Sequence, residues 1–311
     1  MIIPFQGRGA GRKNRSATPR PAGAVVVPLD SASTSHKMRE ALQVSVEQRL
    51  SFAIPKHEIE AHFTQMPERY WARVDENELL RHLEVIHLYI ERAADMDSEG
   101  TIPIVCLKHI PDRGYSEVVI CTSDQHGLLA KIAGSFAAVH INVFSADIYT
   151  RKDKLALDIF HACDSEYRPI LDKARIEKMQ ETLFESLTKH GDLPFTELLS
   201  FEDEDMTARF SRQTEKSVVT TVTFDNKRSA EYTILEVQTG DHLGLLHDIL
   251  QVLTLCDLEI GQAKINTENG MAVDAFYLTD PDGNKILSNA RLDLIRKQLL
   301  KMIEQHPMPV T

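Results

Sequence analysis

Apolar and polar positions along the chain follow two regimes. Before residue 96 they recur at helical spacing. His36–Leu50 contains no breaker. Pro55 suits a helix start, where its missing N–H removes a donor that would have no partner, and Ile59, His62 and Phe63 follow before Met66-Pro67 ends the segment. Asp75 with Glu78 three residues on is a capping-box pattern, and Leu79, Leu80, Leu83, Ile86, Leu88 and Ile90 form the stripe behind it. Asp95–Gly100 breaks that stripe. From residue 102 short apolar runs alternate with helical patterns. Strands are predicted over 102–107 and 115–122, a helix over 127–139, strands over 141–150 and 154–162, and a helix over 169–190. An acidic, irregular stretch (192–214) carries Glu202-Asp203-Glu204-Asp205 and reads as a linker. A strand is predicted over 217–224, and the same order then returns: a strand over 232–239, a helix over 244–256, strands over 258–267 and 271–279 around Glu268-Asn269-Gly270, and a helix over 289–303.

That recurrence extends to individual residues. At an offset of 117 positions the segment Asp124-Gln-His-Gly127-Leu128-Leu129 falls on Asp241-His-Leu-Gly244-Leu245-Leu246. Ile132 falls on Ile249, and Ala146, Ile148 and Thr150 fall on Ala263, Ile265 and Thr267. After a one-residue deletion in the turn, Ala156-Leu-Asp158-Ile-Phe160 meets Ala272-Val-Asp274-Ala-Phe276. Two copies of one β-α-β-β-α unit are present.

In each copy a strand ends at an aspartate, a tight turn follows, and a helix begins at a glycine. Glycine lets the backbone turn sharply and lets a ligand approach. The first N–H groups of the helix lack intrahelical partners and carry the positive end of its dipole, so a carboxylate can bind there. The aspartate either caps the helix or binds an ammonium group. One loop therefore offers both charges of an amino-acid zwitterion. A helix cap beside a turn glycine accounts for the same residues without any ligand.

The β-α-β-β-α-β order with D-x-x-G-L-L after the first strand resembles the ACT domain, a small ferredoxin-like regulatory module that binds amino acids. VTFDN at 222–226, YTILEV, GDHLGLL, AKINT at 263–267 and VDAFYLTDPDG at 273–283 resemble the tandem ACT region that ends the bifunctional PII uridylyltransferase/uridylyl-removing enzymes. PERYW at 67–71 and ELLRHL at 78–83 resemble the segment preceding that pair. The resemblance implies an α+β fold: a disordered basic leader (1–35), a helical segment (36–100), a first ACT domain with its acidic linker (101–225) and a second ACT domain (226–311). It implies ligand contacts from the loop residues Asp124, Gln125, Gly127, Leu128 and Leu129 and from Asp241, His242, Gly244, Leu245 and Leu246. The start of the second strand forms the facing wall, here Asn142-Val143 and Glu259-Ile260. Asn142 can hydrogen-bond a ligand amide or carboxylate, or serve the turn before its strand.

The implied function is non-catalytic sensing of a small-molecule amino acid, glutamine being favoured, in nitrogen metabolism. The chain shows neither a Gly-Ser loop followed by paired aspartates nor clustered His-Asp motifs; His247-Asp248 is its one His-Asp dipeptide. Two alternatives are a regulatory subunit or remnant acting with a separately encoded uridylyltransferase, and an ACT pair used only for oligomerisation. A last strand for the second copy is hard to find after Ile303. Either Met308–Thr311 forms a stub or a partner supplies the edge, and an open edge invites a homo-oligomer through the ACT sheet edges.

Composition narrows the classes. Forty-six acidic against 35 basic side chains over 311 residues give a net charge of −11. That balance argues against general nucleic-acid binding, whose affinity comes from neutralising phosphates. Residues 1–35 instead carry five basic side chains and one acidic, with Gly, Pro and Ser, which fits a solvated tail or an organelle transit peptide. No stretch approaches the length of a spanning helix, so a cytoplasmic location is expected. Four cysteines without close spacing read as free thiols, with Cys121, Cys163 and Cys256 in the core. His57 and His62 are one residue too far apart for HExxH, and His82 and His87 share that fault, so neither a metal nor a cofactor is expected. Trp71 beside Tyr70 reads as a packing anchor.

Overall fold

A computed structural model describes residues 32–50, 52–95, 102–188, 219–242, 244–268 and 271–305. Helices α1 (Ala32–Leu50), α2 (Lys56–Gln65), α3 (Glu68–Trp71) and α4 (Glu76–Asp95) come first. The Asp75/Glu78 capping box forms at the start of α4: each backbone N–H donates to the other's carboxylate, at 3.0 and 2.8 Å. Helix α1 starts at Ala32, so the leader expected over 1–35 ends earlier. Its last turns bury Val46 and Leu50, and the helix extends upstream of the apolar pattern that revealed it. Residues 1–31 and the stretch 192–214 lie outside the described residues.

The first unit contains β1 (Ile104–Ile110), β2 (Tyr115–Ser123), α5 (Leu128–Ala138), β3 (Asn142–Thr150), β4 (Leu155–Cys163) and α6 (Lys173–Thr188). The second contains β5 (Thr221–Asp225), β6 (Thr233–Gly240), α7 (Leu245–Leu255), β7 (Glu259–Lys264), the short β8 (Thr267–Glu268), β9 (Met271–Thr279) and α8 (Asn289–Gln305). The strands form one antiparallel sheet ordered β1-β2-β4-β3-β7-β9-β6-β5, with β8 on β9. The fold is α+β and ACT-like in both halves.

The edge strand sought after the last helix is found before each unit instead. β5 pairs with β6 from Thr221↔Gln238 to Asp225↔Ile234, as β1 pairs with β2. The ferredoxin-like sheet is thus completed from the N-terminal side of each unit. This moves the domain boundary: residues 221–225, assigned to the first ACT domain by sequence, belong to the second. A strand's alternation shows that one of its faces is buried but not which neighbour it pairs with. The case for a partner supplying the second unit's edge also falls, because β5 occupies that place; Met308–Thr311 lie outside the described residues.

Helices α5–α8 cover one face of the sheet, over a core that runs through both units and includes Phe136, Phe160, Leu235, Leu253 and Phe276. Helices α1–α4 cover the other face of the first unit only, burying Tyr70, Leu79 and Leu83 against Cys121, Tyr149, Leu155, Leu157 and Ile159. β4 is therefore buried on both faces, whereas β9 alternates. Leu155, Leu157 and Ile159 are replaced in the second copy by Met271, Val273 and Ala275, which are only partly buried. The repeat diverges where the helical segment lies over one copy and not over the other.

Candidate functional site

Edge strands β3 and β7 join the units through Ser145↔Lys264, Ala146↔Ala263 and Asp147↔Gln262. Ala146 and Ala263 are the residues the repeat superposes, so a pseudo-two-fold axis passes between them. On the helical face α5 packs against α7, and His247 Nδ1 lies 2.8 Å from the carbonyl oxygen of Ala130, again 117 positions away. Antiparallel pairing about such an axis brings the loop of one unit against the second-strand start of the other.

Two cavities result. One, of about 180 Å³, lies between Asn142 and Val143 of the first unit and Asp241, His242, Gly244, Leu245 and Leu246 of the second. The other, of about 780 Å³, sets Asp124, Gln125, Gly127, Leu128 and Leu129 of the first unit opposite Glu259 and Ile260 of the second. Each loop residue named from the sequence lines a cavity, and each faces the wall of the opposite copy.

The loop geometry has a common cause. Gly127 and Gly244 sit at φ +71° and +88°, a left-handed conformation that glycine adopts without strain, and each is the N-cap of its helix. Both N-cap residues are glycines, so neither helix start is capped by the side chain of its own N-cap residue. Lys154 Nζ lies 3.6 Å from Asp124 Oδ2, and the Asp124 N–H donates to the Lys154 carbonyl at 2.7 Å. Asp241 Oδ2 accepts the Thr267 hydroxyl at 2.8 Å; burial pushes its pKa up and that hydroxyl draws it partly back.

Other positions are committed elsewhere. Gln125 donates to the Leu187 carbonyl (3.2 Å) and accepts from Lys131 Nζ (3.0 Å), so its amide faces α6. Asn142 Nδ2 donates to the Asp164 carbonyl at 3.3 Å, the turn role. His242 Nε2 is 3.7 Å from Asp248 Oδ2.

Sequence reasoning missed three side chains at the seam. Asp158 lines the larger cavity from β4 at 1% exposure, and burial, with the nearby charge of Asp124, raises its pKa to about 8. Its repeat partner Asp274 is pushed by burial to about 7. The signal was present, since both aspartates match in the repeat inside otherwise apolar strands. Arg69 of α3 donates to the Ile148 carbonyl at 2.6 Å and to the Tyr232 hydroxyl at 3.0 Å; Arg73 reaches Asp147 at 2.7 Å and Gln262 at 3.0 Å. Both arginines therefore bridge the two units from the helical segment, and nothing in their spacing announced it.

His62 is fully buried, His82 Nδ1 lies 2.9 Å from the Tyr70 hydroxyl, and His87 Nδ1 lies 2.9 Å from Glu58. Trp71 stacks on Phe63 at 4.7 Å. Cys121 and Cys163 are buried, but Cys256 is half-exposed at the end of α7 with its Sγ 2.7 Å from Gln298 Oε1, so it is not a core thiol. Among the described residues no helix is long and apolar enough to cross a membrane.

Fold and seam define a protein of two ACT-like units joined edge to edge. The family described as an ACR9-like, ACT-like domain matches residues 221–311, beginning at the first residue of β5. The bifunctional uridylyltransferase/uridylyl-removing enzyme of Rhodospirillum rubrum is 34% identical over 236 residues, covering 76% of this chain and 24% of that protein. The Gluconobacter oxydans enzyme of the same name is 29% identical over 259 residues (83% and 26%), and that of Ruegeria pomeroyi 32% over 194 residues (62% and 21%). The chain spans about a quarter of the length of these curated relatives. It is a tandem ACT-domain protein resembling the C-terminal regulatory region of the bifunctional uridylyltransferase/uridylyl-removing enzymes.

Proposed function

We propose that this chain is a non-catalytic amino-acid sensor that binds an L-amino acid, glutamine being favoured, in the cavities at the seam. The observation that carries the reading is the crosswise meeting of each helix start with the other unit's wall. A carboxylate at the α7 N-terminus gains from the dipole and from backbone N–H donors, while Asp241 is at hand for the ammonium. A ligand touching both units favours one relative placement of them and so shifts a conformational equilibrium. Arg69 and Arg73 pass that shift to the helical segment.

The output is regulation of a partner enzyme. The names of the relatives favour a uridylyltransferase, either fused to this region or separately encoded. Self-association through the outer strands β1 and β5 would accompany this role, in the cytoplasm and without metal or cofactor. Isothermal titration of the folded protein with each of the twenty amino acids tests the reading: saturable heat with glutamine is expected, and no heat with any of them refutes it. An ACT pair used only for oligomerisation would give that second result.

A further inference from the structure

We propose that Asp158 holds the ligand's ammonium group in the larger cavity, and that its repeat partner Asp274 makes no equivalent contact in the second copy. The inference rests on the reading above, that amino acids bind at the seam.

Four carboxylates line the larger cavity, and they are not in the same state. Asp124, the residue the sequence offered for an ammonium, already has the Lys154 ammonium beside it. Asp257 and Glu259 stand on the opposing unit. Asp158 lies on β4 with 1% of its surface exposed, and neither of its oxygens has a partner within hydrogen-bond geometry. Buried polar groups in native proteins are nearly always paired, because an unpaired one forfeits its hydration for nothing. A carboxyl that is buried, unpaired and on a cavity wall is a place prepared for a donor from outside. An ammonium brings several N–H donors and the complementary charge.

The second copy supplies the internal control. Its equivalent residue, Asp274, accepts the Asn266 backbone N–H at 3.3 Å, and Asp241 accepts the Thr267 hydroxyl. Both carboxylates there have donors from the protein itself. The duplicated aspartate has kept its place in both units, and the equivalent backbone N–H faces it in each (Tyr149 in the first, Asn266 in the second), but only in the second does that N–H come within hydrogen-bond geometry.

Binding moves a proton. The titratable groups facing Asp158 in this cavity are Arg69, Asp124, His126, Lys154, Asp257 and Glu259. With burial and Asp124 setting its pKa near 8, and the Tyr149 backbone and Arg69 drawing it back only in part, Asp158 is mainly protonated at pH 7. An arriving ammonium stabilises the carboxylate, so the acid proton leaves to solvent as the ion pair forms.

The test is calorimetry at pH 7 in phosphate and in Tris, whose ionisation heats differ. The probes are L-glutamine and 4-carbamoylbutanoic acid, the same molecule without its amino group. Wild-type protein is expected to release a proton on binding glutamine but not on binding the des-amino acid. Asp158→Asn is expected to weaken glutamine binding by about tenfold or more, the size of one charge-assisted hydrogen bond, and to abolish the buffer dependence. Asp274→Asn should leave both unchanged. Unaltered glutamine binding by folded Asp158→Asn overturns the inference. So does glutamine binding to wild type without proton release, a result that needs no variant. Failure of wild type to bind any of the twenty amino acids overturns the sensor reading and this inference together.

Discussion

His247 Nδ1 lies 2.8 Å from the carbonyl oxygen of Ala130, the residue that the internal repeat places on top of it. The two copies therefore face each other across a pseudo-two-fold axis, at the helices here and through Ala146 and Ala263 in the sheet below. His247 is buried, and its ring is a rivet between α5 and α7. Replacing it by alanine removes that bond and opens a cavity between the helices. The expected loss is about 2 kcal/mol, read from the urea unfolding midpoint. An unchanged midpoint would mean that the units are held together elsewhere.

Gly127 and Gly244 start their helices in the left-handed region. Alanine at Gly127 meets only Thr254 Cγ2, at 3.6 Å, so the cost there is backbone strain and not collision. Gly127→Ala is expected to destabilise by about 1–2 kcal/mol. Far-UV circular dichroism should remain that of the wild type, while thermal melting shifts downward.

Asp158 makes stability depend on pH in a definite direction. Its pKa is raised to about 8 in the folded chain from about 3.9 unfolded. Between those values the folded protein keeps a proton that the unfolded chain has lost, so stability falls as pH rises from 4 to 8 and then levels. Asp158→Asn removes that slope. The melting temperature of the variant, measured relative to wild type, should climb over the same interval.

The helical segment is tied to the sheet by Arg81 of α4, whose Nη2 lies 3.1 Å from Glu117 Oε1 on β2, both side chains being largely buried. Burial works against the Glu117 charge, yet His161, Arg81 and other cations hold its pKa at about 2. Arg81→Ala strands that carboxylate, at a cost of about 3 kcal/mol in the denaturation midpoint. In the wild type this contribution is present above pH 4.5 and is lost as pH falls towards 2.

Much of this architecture was legible because local pattern and tertiary role agree. The Asp75/Glu78 box, the stripe from Leu79 to Ile90 and the duplicated Asp-x-x-Gly-Leu-Leu loops all carry their own local physics. The edge strands were harder. The stretch 217–224 reads as a strand, but nothing in its alternation says that it pairs with β6 ahead of it and not with the unit behind it. Arg69 and Arg73 were invisible for a related reason: an arginine on a short helix or in the turn after it carries no mark of the distant carbonyl, hydroxyl or amide it will reach. Asp158 was visible as a repeated residue, but its burial without a partner is a property of the folded cavity.

The central claim is that an amino acid binds where the loop of one copy meets the strand of the other. Amide chemical shifts of the isotope-labelled protein, followed while L-glutamine is added, test it most directly. Saturable shifts at Asp241, His242 and Leu245 together with Asn142 and Val143, residues of two different units, are predicted. Shifts confined to one unit or to the helical segment, or no shifts with glutamine or any other amino acid, would contradict it.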